Sequence, residues 1–307
     1  MKPYLKMLRL TSVITFCALL FTACLKEESV VPNDGSTIDE RGLVTNAKGT
    51  GTPPPSTTMI YGLSKANEIV TLTAGPPVVE TASVQLTGLD VDETMLAIDI
   101  RSTNRLLYGV SSKSLLYTID PISGVATRVS TTPFTPEISG TMVGFDFSTK
   151  PDLARVVTET HQNMSIDPNT GRVVNVDPNL VPDFLAVNAI AYANNSFGTL
   201  NSTGVGQLFD LNTSDGMLYQ QYDTKGYAFP IGTTALVITG EGGFDIPNNS
   251  TFGFALLNAR TSSGVNDSTI PTDDTSIDGF RLYSINTRNG QTTSYGPTRE
   301  MTGIAVP

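Results

Sequence analysis

One turn phrase recurs along this chain, and it constrains the fold more than any other feature. Residues 115–129 read LLYTIDPISGVATRV, a strand, a turn and a strand. The phrase returns as QNMSIDPNTGRVV, as GQLFDLNTSDGML and as FRLYSINTRNGQT. Each copy opens its turn with Asp120, Asp167, Asn212 or Asn286, whose side chain can accept a backbone N–H further along the loop. Each closes with Gly124, Gly171, Gly216 or Gly290, the residue type that takes positive φ at least cost.

A second phrase precedes each hairpin. LAIDI (96–100), VGFDF (143–147), AIAY (189–192), GFDI (243–246) and GIAV (303–306) are short and almost wholly apolar. Strands of that kind are buried on both faces. They recur at a period of roughly fifty residues with four strands per unit, the pattern of a β-propeller. A unit reads as inner strand, second strand, third strand, turn and outer strand. In the second unit these are MLAIDI, LLYGVS, SLLYTID and GVATRV. The expected fold is therefore all-β, a propeller of five four-stranded blades. The first unit (IYGLS, EIVTLT, SVQLT) has no inner strand before it, and MTGIAVP at 301–307 is an inner strand with nothing after it. The last strand should complete blade one and close the ring, which removes exposed sheet edges. The stretch 224–280 is long enough to hide strands of a sixth blade. Composition agrees with many short strands: 39% of residues are apolar, 16% are charged, and Gly and Pro are plentiful.

The N-terminal segment reads as an address. Lys2, Lys6 and Arg9 precede the apolar run TSVITFCALLFTA, which has signal-peptide length. Leu20-Phe21-Thr22-Ala23-Cys24 resembles a bacterial lipobox, although Phe21 departs from the usual aliphatic residue. The resemblance implies cleavage after Ala23 and a diacylglyceryl thioether on Cys24. Residues 1–23 would then be the signal peptide, 24–58 a lipid-anchored flexible linker rich in Gly, Pro, Ser and Thr, and 59–307 the propeller domain. Lys26-Glu27-Glu28 looks like the export signal of surface-displayed lipoproteins in one Gram-negative lineage. The expected location is the outer membrane, facing outward.

The repeated phrases together resemble a bacterial family of domains of unknown function, the one numbered 4394. The resemblance rests on IYGL (60–63), on GLDVDETMLAIDIRSTNRLLYGV with LLYTIDPISGVAT, and on GTMVGFDFSTKPDLARVV with QNMSIDPNTG. The family's usual Arg after the Gln-Asn pair is Ser165 here. Membership implies a propeller-like extracellular or surface domain and no known activity, so no catalytic residue is carried over.

Candidate sites are few. Asp99, Asp146 and Asp245 share one place in three inner strands, whereas Ala191 and Ala305 stand there in the other two. They read either as a carboxylate ring able to hold Ca²⁺, or as scaffold acceptors for the backbone of the neighbouring blade. NDSTIPTDDTSID (266–278) is an acidic insertion whose Asp267, Asp273, Asp274 and Asp278 lack EF-hand spacing. Asp267-Ser268-Thr269 also resembles an O-glycosylation tripeptide. Arg155, Glu159, His161, Gln162 and Asn163 cluster at a hairpin of the third unit, and His161 is the only imidazole in the chain. A hydrolase would need two non-repeated acids in one pocket, Glu159 and Glu241 for example. GxSxG, HExxH, CxxC and a phosphate-cradling Gly loop are all missing. A net charge of −10 with no basic cluster argues against nucleic acid as a partner. A binding module is expected, with a protein or glycan ligand, held to the membrane by its lipid. The alternative is a carbohydrate-active hydrolase with carboxylates at the channel mouth. A purely structural protein would show neither a deep pocket nor a patch of exposed aromatic rings.

Overall fold

The computed structural model describes residues 37–38, 44–45, 57–193, 206–248, 250–261 and 279–307. Five four-stranded antiparallel sheets form a five-bladed propeller, and the described residues contain no sixth sheet of that size. Blade one is built from Met301–Ala305, Met59–Ser64, Glu68–Thr73 and Val79–Gln85, from the axis outward. Blade two follows with Met95–Arg101, Leu106–Ser111, Leu116–Ile119 and Ala126–Arg128. Blade three is Val143–Thr149, Asp152–Thr158, Asn163–Asp167 and Arg172–Val176. Blade four is Val187–Ala193, Gln207–Asn212, Met217–Tyr222 and Tyr227–Thr233. Blade five is Leu236–Asp245, Phe252–Thr261, Phe280–Asn286 and Thr292–Pro297. Apart from the ring, Thr37–Ile38 pairs antiparallel with Val44–Thr45, inside the segment expected to be a linker. Among the described residues no helix is long and apolar enough to cross a membrane.

The ring closes as its strand count requires. Gly303 pairs with Leu63, Ile304 with Gly62 and Ala305 with Tyr61, so the last strand supplies the inner edge of the first blade. Within 224–280 the described residues form the outer strand of blade four and the inner and second strands of blade five, with no strand of a sixth blade among them.

Two-sided burial divides the core into five clusters, one at each seam between blades. Ile60, Leu72, Phe254 and Leu256 fill the seam of blades five and one. Leu63, Ile69, Ile98 and Tyr117 fill that of blades one and two. Tyr108, Leu116, Phe145 and Phe147 fill the next. Val157, Ile190, Leu208 and Tyr219 pack blade three on blade four. Phe209, Leu211, Phe244 and Leu257 pack blade four on blade five. A blade is therefore apolar on both faces, and the inner strand Val187–Ala193 is buried throughout.

One assignment from the repeat needs correction. In blades two, three and five the Asp/Asn-to-Gly turn joins the third strand to the outer strand, as expected. In blade four the Asn212–Gly216 turn joins the second strand to the third. The outer turn of that blade is Tyr222–Gly226, where Gly226 has φ +71° and donates its N–H to the Tyr222 carbonyl. The side-chain cap and the closing glycine serve any two-strand hairpin, so the local phrase marks a hairpin without saying which one.

Candidate functional site

The channel along the propeller axis is not a pore. At its waist about 10 Å³ remains free. Glycines stand where the inner strands meet: a Cβ on Gly243 would lie 2.5 Å from the Ile304 nitrogen, and one on Gly144 would lie 2.9 Å from the Ile190 nitrogen. The waist therefore excludes any ligand.

Past the waist sit the three repeated aspartates, all buried. Asp99 accepts the Phe147 N–H at 3.0 Å, Asp146 accepts the Tyr192 N–H at 2.8 Å, and Asp245 accepts the Val306 N–H at 2.5 Å. Each bond crosses to the next blade. Three carboxyls thus each hold one inner-strand N–H of the following blade, and the N–H that follows each aspartate favours its charged form. Blades four and one dispense with the aspartate because Asp146 and Asp245 of the preceding blades serve Tyr192 and Val306. Burial, then the charges of Asp146 and Asp245, hold the Asp99 carboxyl well above the usual range. Asp146 is raised well above it by burial and then by Asp245. Burial pushes Asp245 up to about 6. Among the described residues no group of three or more His, Cys, Asp or Glu is arranged to hold a metal ion. Asp267, Asp273, Asp274, Asp278 and Cys24 lie outside the described residues.

The mouth at the other end of the axis is a cavity of about 110 Å³ lined by Lys65, Thr94, Thr141, Glu241 and Thr302 among others. A bulge between Ile238 and Gly242 in the inner strand of blade five presents Glu241 there. Lys65 holds Glu241 at 3.2 Å and Glu300 at 3.4 Å. Glu159 does not join Glu241 in this lining. Its carboxylate accepts the Thr141 and Met142 N–H groups at 2.7 and 3.1 Å. His161 places Nε2 2.8 Å from the Leu185 carbonyl. The nearby Arg155 is buried and staples blade three to blade four: it bonds Asn163 at 2.9 Å and Asp177 at 2.5 Å, and lies 3.6 Å from Asp223. The hairpin cluster read from the sequence is real as a cluster, yet its polar groups are engaged with the fold.

The surface feature that sequence reading missed lies at the rim of blade four. Tyr222, Tyr227 and Phe229 are 51%, 55% and 51% exposed. Tyr222 pairs with Tyr227 across the two outermost strands. Its ring meets that of Phe229 edge to face, with centroids 5.5 Å apart. Tyr227 and Phe229 alternate along an outer strand, so both point to one side. That alternation is visible in GYAFP, but its meaning depends on knowing that the strand is the outer one.

A family model described as Domain of unknown function (DUF4394) matches residues 68–305. No curated protein matches the chain.

Proposed function

Since the chain belongs to this family of domains of unknown function, which brings no activity with it, we propose that the protein is a membrane-anchored lipoprotein whose propeller is a binding module. The observation that carries this reading is the aromatic face of Tyr222, Tyr227 and Phe229. Three half-exposed rings on neighbouring strands, braced against one another, are poor solvent-facing residues but good contact residues for a protein or a glycan. Cys24 carries the lipid, and residues 24–58 tether the ring outside the outer membrane. Two acyl chains on one cysteine give stable anchoring, at about 0.8 kcal/mol per buried CH₂.

The test is binding by the full chain on arrays of envelope glycans and of host and envelope proteins, set beside a Tyr227→Ala/Phe229→Ala variant. The wild type should retain a ligand that the variant loses, while both chains keep a cooperative thermal transition and the same circular-dichroism spectrum. Equal retention by the two chains would sink the assignment of this face. Anchoring is tested separately: wild type should incorporate labelled fatty acid in growing cells, and Cys24→Ser should not.

A further inference from the structure

A second cavity has no part in that reading. It opens at the seam of blades one and two, where the inner strands end away from the mouth, and holds about 600 Å³. That volume suits a small organic ligand. Leu106 and Val125, each 48% exposed, contribute the accessible aliphatic surface over the buried Leu107 and Ile119, with Pro307 from the closing segment. The side chains of the lining include one cation and one acid, Arg105 and Asp120. Asp120 is already committed to its own turn, accepting the Ile122 N–H at 2.9 Å and the Ser123 hydroxyl at 2.6 Å. Arg105 is exposed, and its side chain has no hydrogen-bond or ion-pair partner among the described residues. Its backbone sits at φ +62°, with its N–H bonded to the Arg101 carbonyl at 2.8 Å. A glycine or asparagine would take that conformation with less strain. An arginine kept there, uncommitted, beside an aliphatic floor and in a chain of net charge −10, is a local exception to the acidic surface.

We propose that this groove binds a small amphipathic monoanion, a carboxylate on an aliphatic body. The head group pairs with the Arg105 guanidinium, and the body covers Leu106 and Val125. A guanidinium–carboxylate pair is bidentate and charge-assisted, so the head group dominates selectivity. Because Pro307 walls the groove, the site is complete only when the ring is closed, and occupancy should raise the thermal midpoint.

Octanoate is a suitable probe and octanol its uncharged control, titrated calorimetrically into the mature chain, residues 24–307, carrying Cys24→Ser to prevent acylation. Octanoate should bind once per chain, and Arg105→Gln should weaken it about tenfold or more. Octanol should bind more weakly, and equally to both chains. Val125→Glu, at a half-exposed position, should abolish octanoate binding without loss of the folded state by circular dichroism. The proposal is overturned if octanoate gives no binding at millimolar concentration, if Arg105→Gln binds it as well as wild type, or if octanol binds as tightly. The Tyr227→Ala/Phe229→Ala variant should keep octanoate affinity, so this site and the aromatic face stand or fall separately.

Discussion

The clearest residue-scale lesson comes from the three axial aspartates. Each holds one backbone N–H of the following blade, that of Phe147, Tyr192 or Val306. An orphaned buried N–H costs about 1–3 kcal/mol. Asp99→Ala, Asp146→Ala and Asp245→Ala should therefore each destabilise the domain by about that much, read as urea unfolding midpoints; a variant as stable as wild type would contradict the accounting. The same groups set a pH dependence. Each binds its proton more readily in the fold than in the unfolded chain, so its contribution is complete below about pH 4. Asp245's share is lost as pH rises through about 6. Asp152 acts oppositely, since its hydrogen bond to Arg101 lowers its pKa and its share is lost at low pH. The thermal midpoint should be higher near pH 5 than at pH 7.5, and Asp245→Asn should shrink that difference.

At the scale of the element, strands meet through two devices, close glycine contacts at the axis and buried ion pairs at the seams. Gly243→Ala would drive a Cβ into the backbone of Ile304 and Gly303, where no flexible side-chain end can yield. Overpacking of that kind costs about 1–3 kcal/mol, measurable as a fall in the denaturation midpoint. Arg155→Met would strip Asp177, Asp223 and Asn163 of a buried partner. Removing one side of a buried pair costs about 3–5 kcal/mol, more than any exposed ion pair such as Lys65 with Glu300 could contribute. A variant as stable as wild type would mean that the seam of blades three and four is held by its apolar cluster alone. The hairpin turns belong to this scale as well. Their chemistry is identical in blades two, three, four and five, which explains why Asn212–Gly216 could be recognised as a turn and still be assigned to the wrong pair of strands.

For the whole molecule the decisive fact is closure. Met301–Ala305 pairs with Met59–Ser64 and packs at the seams on both sides, with Met301 and Ile304 in one cluster and Ala305 in the next. Deleting 301–307 should abolish the cooperative thermal transition rather than merely lower it. A soluble truncated chain melting in one sharp step would refute the closed ring. The five seams form a circle of mutual dependence, so losing one exposes two apolar blade faces.

Hairpin chemistry and the recurrence of doubly apolar strands are local properties, so the sequence by itself determined the all-β class, the repeat and the terminal strand that completes the first blade. The candidate address at Cys24 is legible for the same reason, since a signal segment is read as a linear string. Which hairpin a turn closes in blade four, why two axial positions can be alanine, and where Arg105 and the Tyr222–Phe229 face lie were decided only in three dimensions. Each depends on a residue's neighbour in the adjoining strand or blade, tens of positions away in the chain. Spacing along one strand carries no record of that partner, and the Asp146 carboxyl that excuses Ala191 from its role belongs to a different blade.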